Sequence, residues 1–381
     1  MRTEPDFIEK ILPFGELLRG FSNQSYLTKA ELNKFLKSRG IFHRFRDKEH
    51  LVPTVATLLL SPDEFDLLRD FQNTREDNQK KSTSRIEWQP DTNLGNSLRN
   101  ISFEGLIPDD GVNFKLTSPP NVEITNKVKE KIIIEFEVER NDLNKSWYQS
   151  NNIFTGKIEI ETTDQGQLRI TKSYTSSESN FVAERIQKVV VNHLKTKNHI
   201  LSDNELEKIL FGDFNNTERI VFFYRLSSNM NSSNFEFKDI VNVEFTPEDS
   251  VSLPIDIEWM VNKTELKLKG KSIHNTFFIK DKKYHPFLRV WEMESSFKFD
   301  YSGFKGSCNV VFAFKDYPSK GEAAEFTINI SNFSIIDSSE YSSKDRNRVK
   351  RNLLDVFDKK KDETYVNFIN YLKEKRANII D

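Results

Sequence analysis

Three groups of residues have the types and spacing to do chemistry. The first is Asp256, behind Pro254, followed across a turn by Glu265-Leu266-Lys267. Two carboxylates presented on a hairpin can hold a Mg²⁺ ion, and a lysine beside them can orient the water that attacks a phosphodiester. Alternating Lys-Leu-Lys is equally the pattern of an amphipathic strand. Glu265 also stands at the mouth of its strand rather than after an apolar run, which argues against a metal site. The second group is basic. Lys29, Lys34, Lys37, Arg39, Arg44, Arg46 and Lys48 face only Glu31 and Asp47 over the same stretch. On a helix and the turn that follows it, Lys34, Lys37, Arg39, Arg44, Arg46 and Lys48 offer a DNA-phosphate-contacting surface. The competing reading is a solvated helix face. The third group is the tail, where Arg346, Arg348, Lys350, Arg351 and Lys359-Lys360-Lys361 interleave with Asp345, Asp355, Asp358, Asp362 and Glu363. Its apolar stripe must bury against the body of the chain or against a partner chain, and packing on the body is the plainer expectation.

Other chemistries find no motif. The six histidines have no paired spacing with acids that reads as a metal motif. The single cysteine, Cys308, excludes an intramolecular disulfide and a Cys-based zinc site, and reads as a small strand residue. There is no phosphate-cradling Gly-rich loop and no Gly-x-Ser-x-Gly elbow. No cofactor is expected, and the absence of motifs lowers the expectation of an enzyme without excluding one. A formal net charge of −2 excludes a globally basic coat, so any nucleic-acid role must come from a local patch. No window approaches ~18 uninterrupted apolar residues, and the first residues carry acids and no apolar core. The expectation is a cytoplasmic protein without a membrane span.

The elements that must position these residues follow from periodicity. Apolar residues at helical spacing over 6–22 give a first helix, interrupted near Pro13 and Gly15. Thr28-Lys29-Ala30-Glu31 is a capping box opening a helix through Leu32, Phe35 and Leu36, which Gly40 ends. A further helix carries Leu51, Val55 and Leu58. Ser61-Pro62-Asp63-Glu64 opens another. The polar run Gln79–Ser84 marks a boundary. Beyond it the period turns to alternation, with strands expected at 131–138, 157–162, 167–172, 220–226, 239–245, 255–261, 266–268, 276–279, 287–293, 296–300, 308–314 and 325–330. Helices are expected at 181–194, from Ser202 through Leu210, and over the tail, 343–376. The fold class is therefore α+β: an all-helical module over 1–82, a mainly antiparallel β-rich body with inserted helices over 83–340, and a helical tail over 341–381.

Three runs of the module carry a family resemblance. They are Ile11-Leu12-Pro13-Phe14-Gly15-Glu16-Leu17-Leu18-Arg19, Ser38-Arg39-Gly40-Ile41-Phe42, and Leu58-Leu59-Leu60-Ser61-Pro62-Asp63-Glu64-Phe65. Together they resemble the N-terminal domain of the B subunit of the two-gene anti-phage defence system GAPS4. The resemblance implies a nuclease-like partner subunit encoded by a neighbouring gene, a hetero-oligomer, and a B subunit without a recognised active site. It transfers no catalytic residue. Three functions then compete. One is a non-catalytic DNA-sensing or scaffolding subunit of a defence nuclease complex. Another is a metal-dependent nuclease using Asp256, Glu265 and Lys267. The last is a protein-binding adaptor without DNA contact.

Overall fold

Leu32, Phe35 and Leu36 recur at the spacing that puts three side chains on one helix face, and in the structure that face is buried. The structure, a computed structural model, describes residues 12–23, 27, 29–44, 47–65, 67–68, 78–89, 93–108, 112–125, 130–141, 151–163, 166–228, 230, 232, 234–263, 265–336, 341 and 343–380. Helices α1 (Glu16–Ser22), α2 (Lys29–Ser38) and α3 (Lys48–Ala56) form the amino-terminal module. Leu18, Phe21, Leu32, Phe35, Leu51, Val55 and Phe65 make a core of its own. Gly40, at φ +74°, takes the left-handed turn that ends α2 and lets the Ile41 N–H return to the Leu36 carbonyl at 2.9 Å. The box at Ser61 forms: the Ser61 hydroxyl accepts from the Glu64 N–H, and the Glu64 carboxylate accepts from the Ser61 N–H. Thr28 and residues 6–11 lie outside the described residues.

The remainder is an α+β body built on one antiparallel sheet, as the periodicity predicts. Its elements run β1 (Lys80–Glu87), β2 (Phe114–Leu116), β3 (Asn121–Thr125), β4 (Lys131–Asn141), β5 (Asn151–Thr162), β6 (Gln167–Tyr174), α4 (Ser177–Thr196), α5 (Asn216–Ser228), β7 (Phe235–Pro247), β8 (Leu266–Lys269), β9 (Leu288–Tyr301), β10 (Phe304–Ala313), β11 (Thr327–Ile335) and α6 (Ser343–Ile380). The 11 strands lie in the order β2-β4-β5-β6-β1-β11-β10-β9-β7-β8, with β3 also pairing on β4. β1 pairs with β6 along its whole length but meets β11 only at Lys80↔Asn329 and Lys81↔Ile328.

That short seam divides the sheet into halves that bury opposite faces. In the first half, Ile132 and Ile134 of β4, Ile158 and Ile160 of β5, Leu168 and Ile170 of β6 and Ile86 of β1 pack against Val182, Ile186 and Val190 of α4. In the second, Val243 and Phe245 of β7, Met293 and Phe297 of β9, Val310 and Phe312 of β10 and Ile328 and Ile330 of β11 pack against Ile220, Phe223 and Leu226 of α5. Val349, Leu353, Phe357, Phe368 and Leu372 of α6 join that second core. Lys81 and Ile328 are register partners and so share a face. Ile86 stands five positions along β1 from Lys81 and so points to the other face.

Several expected elements are corrected. The polar run Gln79–Ser84 supplies most of β1, so the boundary at 82/83 falls within a central strand. Residues 220–226 are not a strand but the middle of α5. An apolar run buried all round shows no period, so its length and start signal must decide. That start signal is there: the Asn215 side chain accepts from the Glu218 N–H at 2.9 Å, and the Glu218 carboxylate accepts from the Asn215 N–H at 3.1 Å. Residues 255–260 form a 3₁₀ turn and 277–280 a single helical turn, where alternation predicts strands. Residues 202–210 are not helical: Ser202 and Asp203 form a turn, and Glu207 and Leu210 make isolated bridges to Arg85 and Glu325. The two strands expected across 287–300 are the single strand β9.

Candidate nucleic-acid interface and buried ion network

The inward face of α2 is Leu32, Phe35 and Leu36, so Lys34 and Lys37 fall on the opposite, exposed face. Arg44 is also exposed, on the turn after α2. Arg39 is exposed but tied into the module. Its Nε pairs with Glu64 at 2.8 Å and its Nη2 donates to the Leu59 carbonyl at 3.1 Å, tying the end of α2 to the Ser61 cap. Lys48 is half-buried and donates to the Asn23 carbonyl at 3.1 Å. Lys29 is paired with Asp47 at 2.8 Å; that hydrogen bond and charge raise the lysine pKa and lower the carboxyl's. Arg46 lies outside the described residues. Of the six expected phosphate-contacting residues, Lys34, Lys37, Arg39 and Arg44 are exposed, with Arg39 also tied to Glu64 and Leu59, and Lys48 is half-buried.

Asp256, Glu265 and Lys267 do not form the hairpin that metal-assisted hydrolysis would need. Asp256 sits on the 3₁₀ turn, not on a strand, and accepts a hydrogen bond from the Tyr284 hydroxyl at 2.6 Å. The partner of β8 is β7, and Lys267 pairs there with Glu244. Glu265 is exposed just before β8. Among the described residues, no group of three His, Cys, Asp or Glu side chains is arranged to hold a metal ion. Cys308 is a buried strand residue, as expected, and burial pushes its thiol up to about 12.

The densest set of buried charges lies between α6 and the first half of the sheet. Alternation in β1 turns Lys81, Thr83 and Arg85 toward α6 and Ser84 toward α4, where the Gln187 amide donates to its hydroxyl at 2.5 Å. β5 adds Glu159 and Glu161, and β6 adds Arg169. The helix answers with Asp355, Asp358, Lys361 and Asp362, which recur at near-helical spacing on one stripe. Arg169 holds Asp358 at 2.5 Å, Asp362 at 2.6 Å and Glu161 at 2.9 Å. Lys361 holds Asp358 at 2.7 Å, and Lys81 holds Glu159 at 3.3 Å and also Asp355. Burial works against ionisation of Asp358, but Lys361, Arg169 and Lys81 outweigh it and keep its pKa far below the ordinary value. Burial likewise opposes Glu159, and Lys81, Lys157 and Lys131 bring it down to about 2. Each charge is answered by another, so this network is a lock rather than a reactive site.

On the opposite face of the second half, Glu244 and Glu292 are directly opposite across β7 and β9, and the Asn242 amide donates to both at 3.2 Å. Burial, with Glu244 adding to it, raises the Glu292 carboxyl to about 7. Neither the network nor this pair is legible in the sequence. Lys81, Arg169 and Asp358 each stand among ordinary surface-type residues, and only pairing across the fold distinguishes them.

Comparison with known proteins bears on the module. Residues 16–78 match the family model of the GAPS4b protein N-terminal domain, which supports the resemblance read from residues 11–65. That family suggests a subunit of an anti-phage defence system and, since the system has two genes, a partner subunit. No curated protein matches the chain. Among the described residues, no helix is long and apolar enough to cross a membrane.

Proposed function

We propose that this chain is the non-catalytic, DNA-sensing or scaffolding subunit of a cytoplasmic anti-phage defence complex, working with a nuclease subunit encoded by a neighbouring gene. The match of residues 16–78 to the GAPS4b N-terminal domain carries the reading. Its DNA-contacting part draws support from Lys34, Lys37 and Arg44, which α2 and its following turn leave exposed. Contacts of this kind go to phosphates, so they anchor a duplex without reading its bases. A nuclease within this chain has no support from the positions of Asp256, Glu265 and Lys267.

The test is co-expression with the neighbouring gene product, followed by duplex DNA binding at several salt concentrations. The expected result is a stable heteromer whose affinity falls steeply with salt. Lys34→Glu with Lys37→Glu should weaken binding to all sequences alike and flatten the salt dependence by about one unit for each phosphate interaction removed. A chain that stays monomeric and holds no DNA at low salt would overturn the proposal. A stable heteromer that ignores DNA would leave a protein-binding adaptor.

A further inference from the structure

Where β1 begins, the α4 face of the sheet holds a polar pocket of about 310 Å³, lined in part by Lys80, Arg140, Lys315, Ser176, Ser177 and Asn329. Lys80 and Asn329 are register partners across the β1–β11 seam, so their side chains stand together. Arg140 is oriented by Glu178 at 3.2 Å and by the Phe154 ring, 4.8 Å from its guanidinium carbon. Its Nε–H is buried with no partner among the described residues. α4, capped by Ser176, starts at this pocket and brings the positive end of a 20-residue helix to it.

The charges here do not cancel. Glu178 answers Arg140, and Asp316, beside Lys315, is engaged by Lys320 at 2.9 Å. Among the described residues no carboxylate forms an ion pair with Lys80 or Lys315, although the charges of Glu244 and Glu292 act on Lys315; the Lys80 ammonium stands 5.9 Å from the Tyr174 ring centroid. Burial, and then the charge of Lys315, push the Lys80 pKa down, and the more distant Asp316 offsets this only in part. Lys80 is half-buried and Lys315 is exposed; a half-buried ammonium beside a second one, with no acid in an ion pair with either, is favoured by an anion that enters between them. The buried Lys81, by contrast, is matched by Glu159 and Asp355.

We infer that this pocket binds a phosphate group, with Lys80 and Lys315 supplying the opposing charge and Arg140, Ser176 and Ser177 supplying further donors. Fully ionised hydrogen phosphate, a tetrahedral dianion, suits two ammoniums and hydroxyl donors better than a planar monoanionic carboxylate does. The phosphate can be a monoester on a small molecule, which keeps the dianion, or a nucleic-acid backbone diester, a monoanion that offers two free oxygens to the same donors. The site stands independently of the proposed role of the amino-terminal module.

Calorimetric titration of the full chain with inorganic phosphate tests it. Lys80→Met and Lys315→Met should each weaken phosphate binding about tenfold, the scale of removing one charge–charge interaction. Without phosphate, Lys80→Met should leave the melting temperature unchanged or raise it, because it removes a half-buried charge that has no ion-pair partner among the described residues. Lys305→Met, which removes a cation paired with Asp300 at 3.1 Å on the β9–β10 turn, should keep wild-type affinity. A second arm uses duplex DNA in phosphate-free buffer. A lower salt slope in Lys80→Met and Lys315→Met identifies a backbone phosphate. Unchanged DNA binding with lost phosphate binding identifies a small phosphorylated ligand. Equal phosphate affinity in wild type and both variants, or equal loss in Lys305→Met, overturns the inference. Lys34 and Lys37 are untouched here, so failure of the DNA-sensing proposal reads out separately.

Discussion

Single side chains in this protein behave according to what faces them rather than what they are. Glu292 and Glu159 are both strand glutamates, and neither is exposed. Lysines surround Glu159 and hold it ionised, at about 2. Glu292 has Glu244 opposite and rises from the ordinary 4.5 to about 7. The consequence for stability has a definite sign. A carboxyl whose pKa is raised on folding binds its proton more tightly when folded. Its contribution is full below about pH 4.5 and is lost as the pH climbs toward 7. Glu292→Gln should therefore be nearly neutral at pH 4 and stabilise by roughly 1–2 kcal/mol at pH 8, by denaturant unfolding. An equal effect at both pH values would mean the carboxyl is ionised throughout. Nothing in the local sequence Val290-Trp291-Glu292-Met293 marks this residue, because its neighbour Glu244 lies on another strand.

At the scale of elements, α6 shows two kinds of adhesion on one helix. One stripe, including Leu353, Phe357, Phe368 and Leu372, buries in the second core. The other, including Asp358, Lys361 and Asp362, buries against β1, β5 and β6. The apolar stripe is legible as a 3.6-residue period, and it packs on the chain's own body. The charged stripe looks solvent-facing in the sequence, since isolated charges almost always are. Removing one partner strands the others, so Arg169→Met should cost about 3–5 kcal/mol. Adding Asp358→Asn to it should recover part of the loss, since it removes the stranded acid. A double variant as unstable as the sum of the two singles would show that the charges act independently. β1 teaches the same lesson: Lys-Lys-Ser-Thr-Ser reads as a linker until α6 and α4 supply partners for both of its faces.

At the scale of the whole molecule, two half-sheets with separate cores meet along two register pairs at the β1–β11 seam. α6 spans both, with its apolar stripe in one half and its ionic stripe on the other. It couples them, alongside residues 202–210, which bridge Arg85 and Glu325. The two half-sheets of the full chain should therefore melt together, and those of a chain ending at residue 342 in two steps, the second half first. One sharp transition in the truncated chain would mean that the seam and residues 202–210 transmit cooperativity without α6. The amino-terminal module has its own core, and its surface lysines depend on α2 alone.

The sequence by itself determined the three-part order of helical module, antiparallel body and helical tail, most long strands, the helix start at Ser61, and the family resemblance of the module. These are local properties: periods of two and 3.6, capping residues and short motifs are all written within a few positions. Tertiary structure alone decided which sheet face each half buries, which basic residues are consumed internally, and where charges are buried. Alternation says that one face of a strand is apolar but not which neighbour that face will meet. Arg169 and Asp358 are 189 positions apart, and a charge costs too much to bury until such a partner arrives. The same holds for Asp256, Glu265 and Lys267, whose spacing suggests a hairpin that the fold never makes.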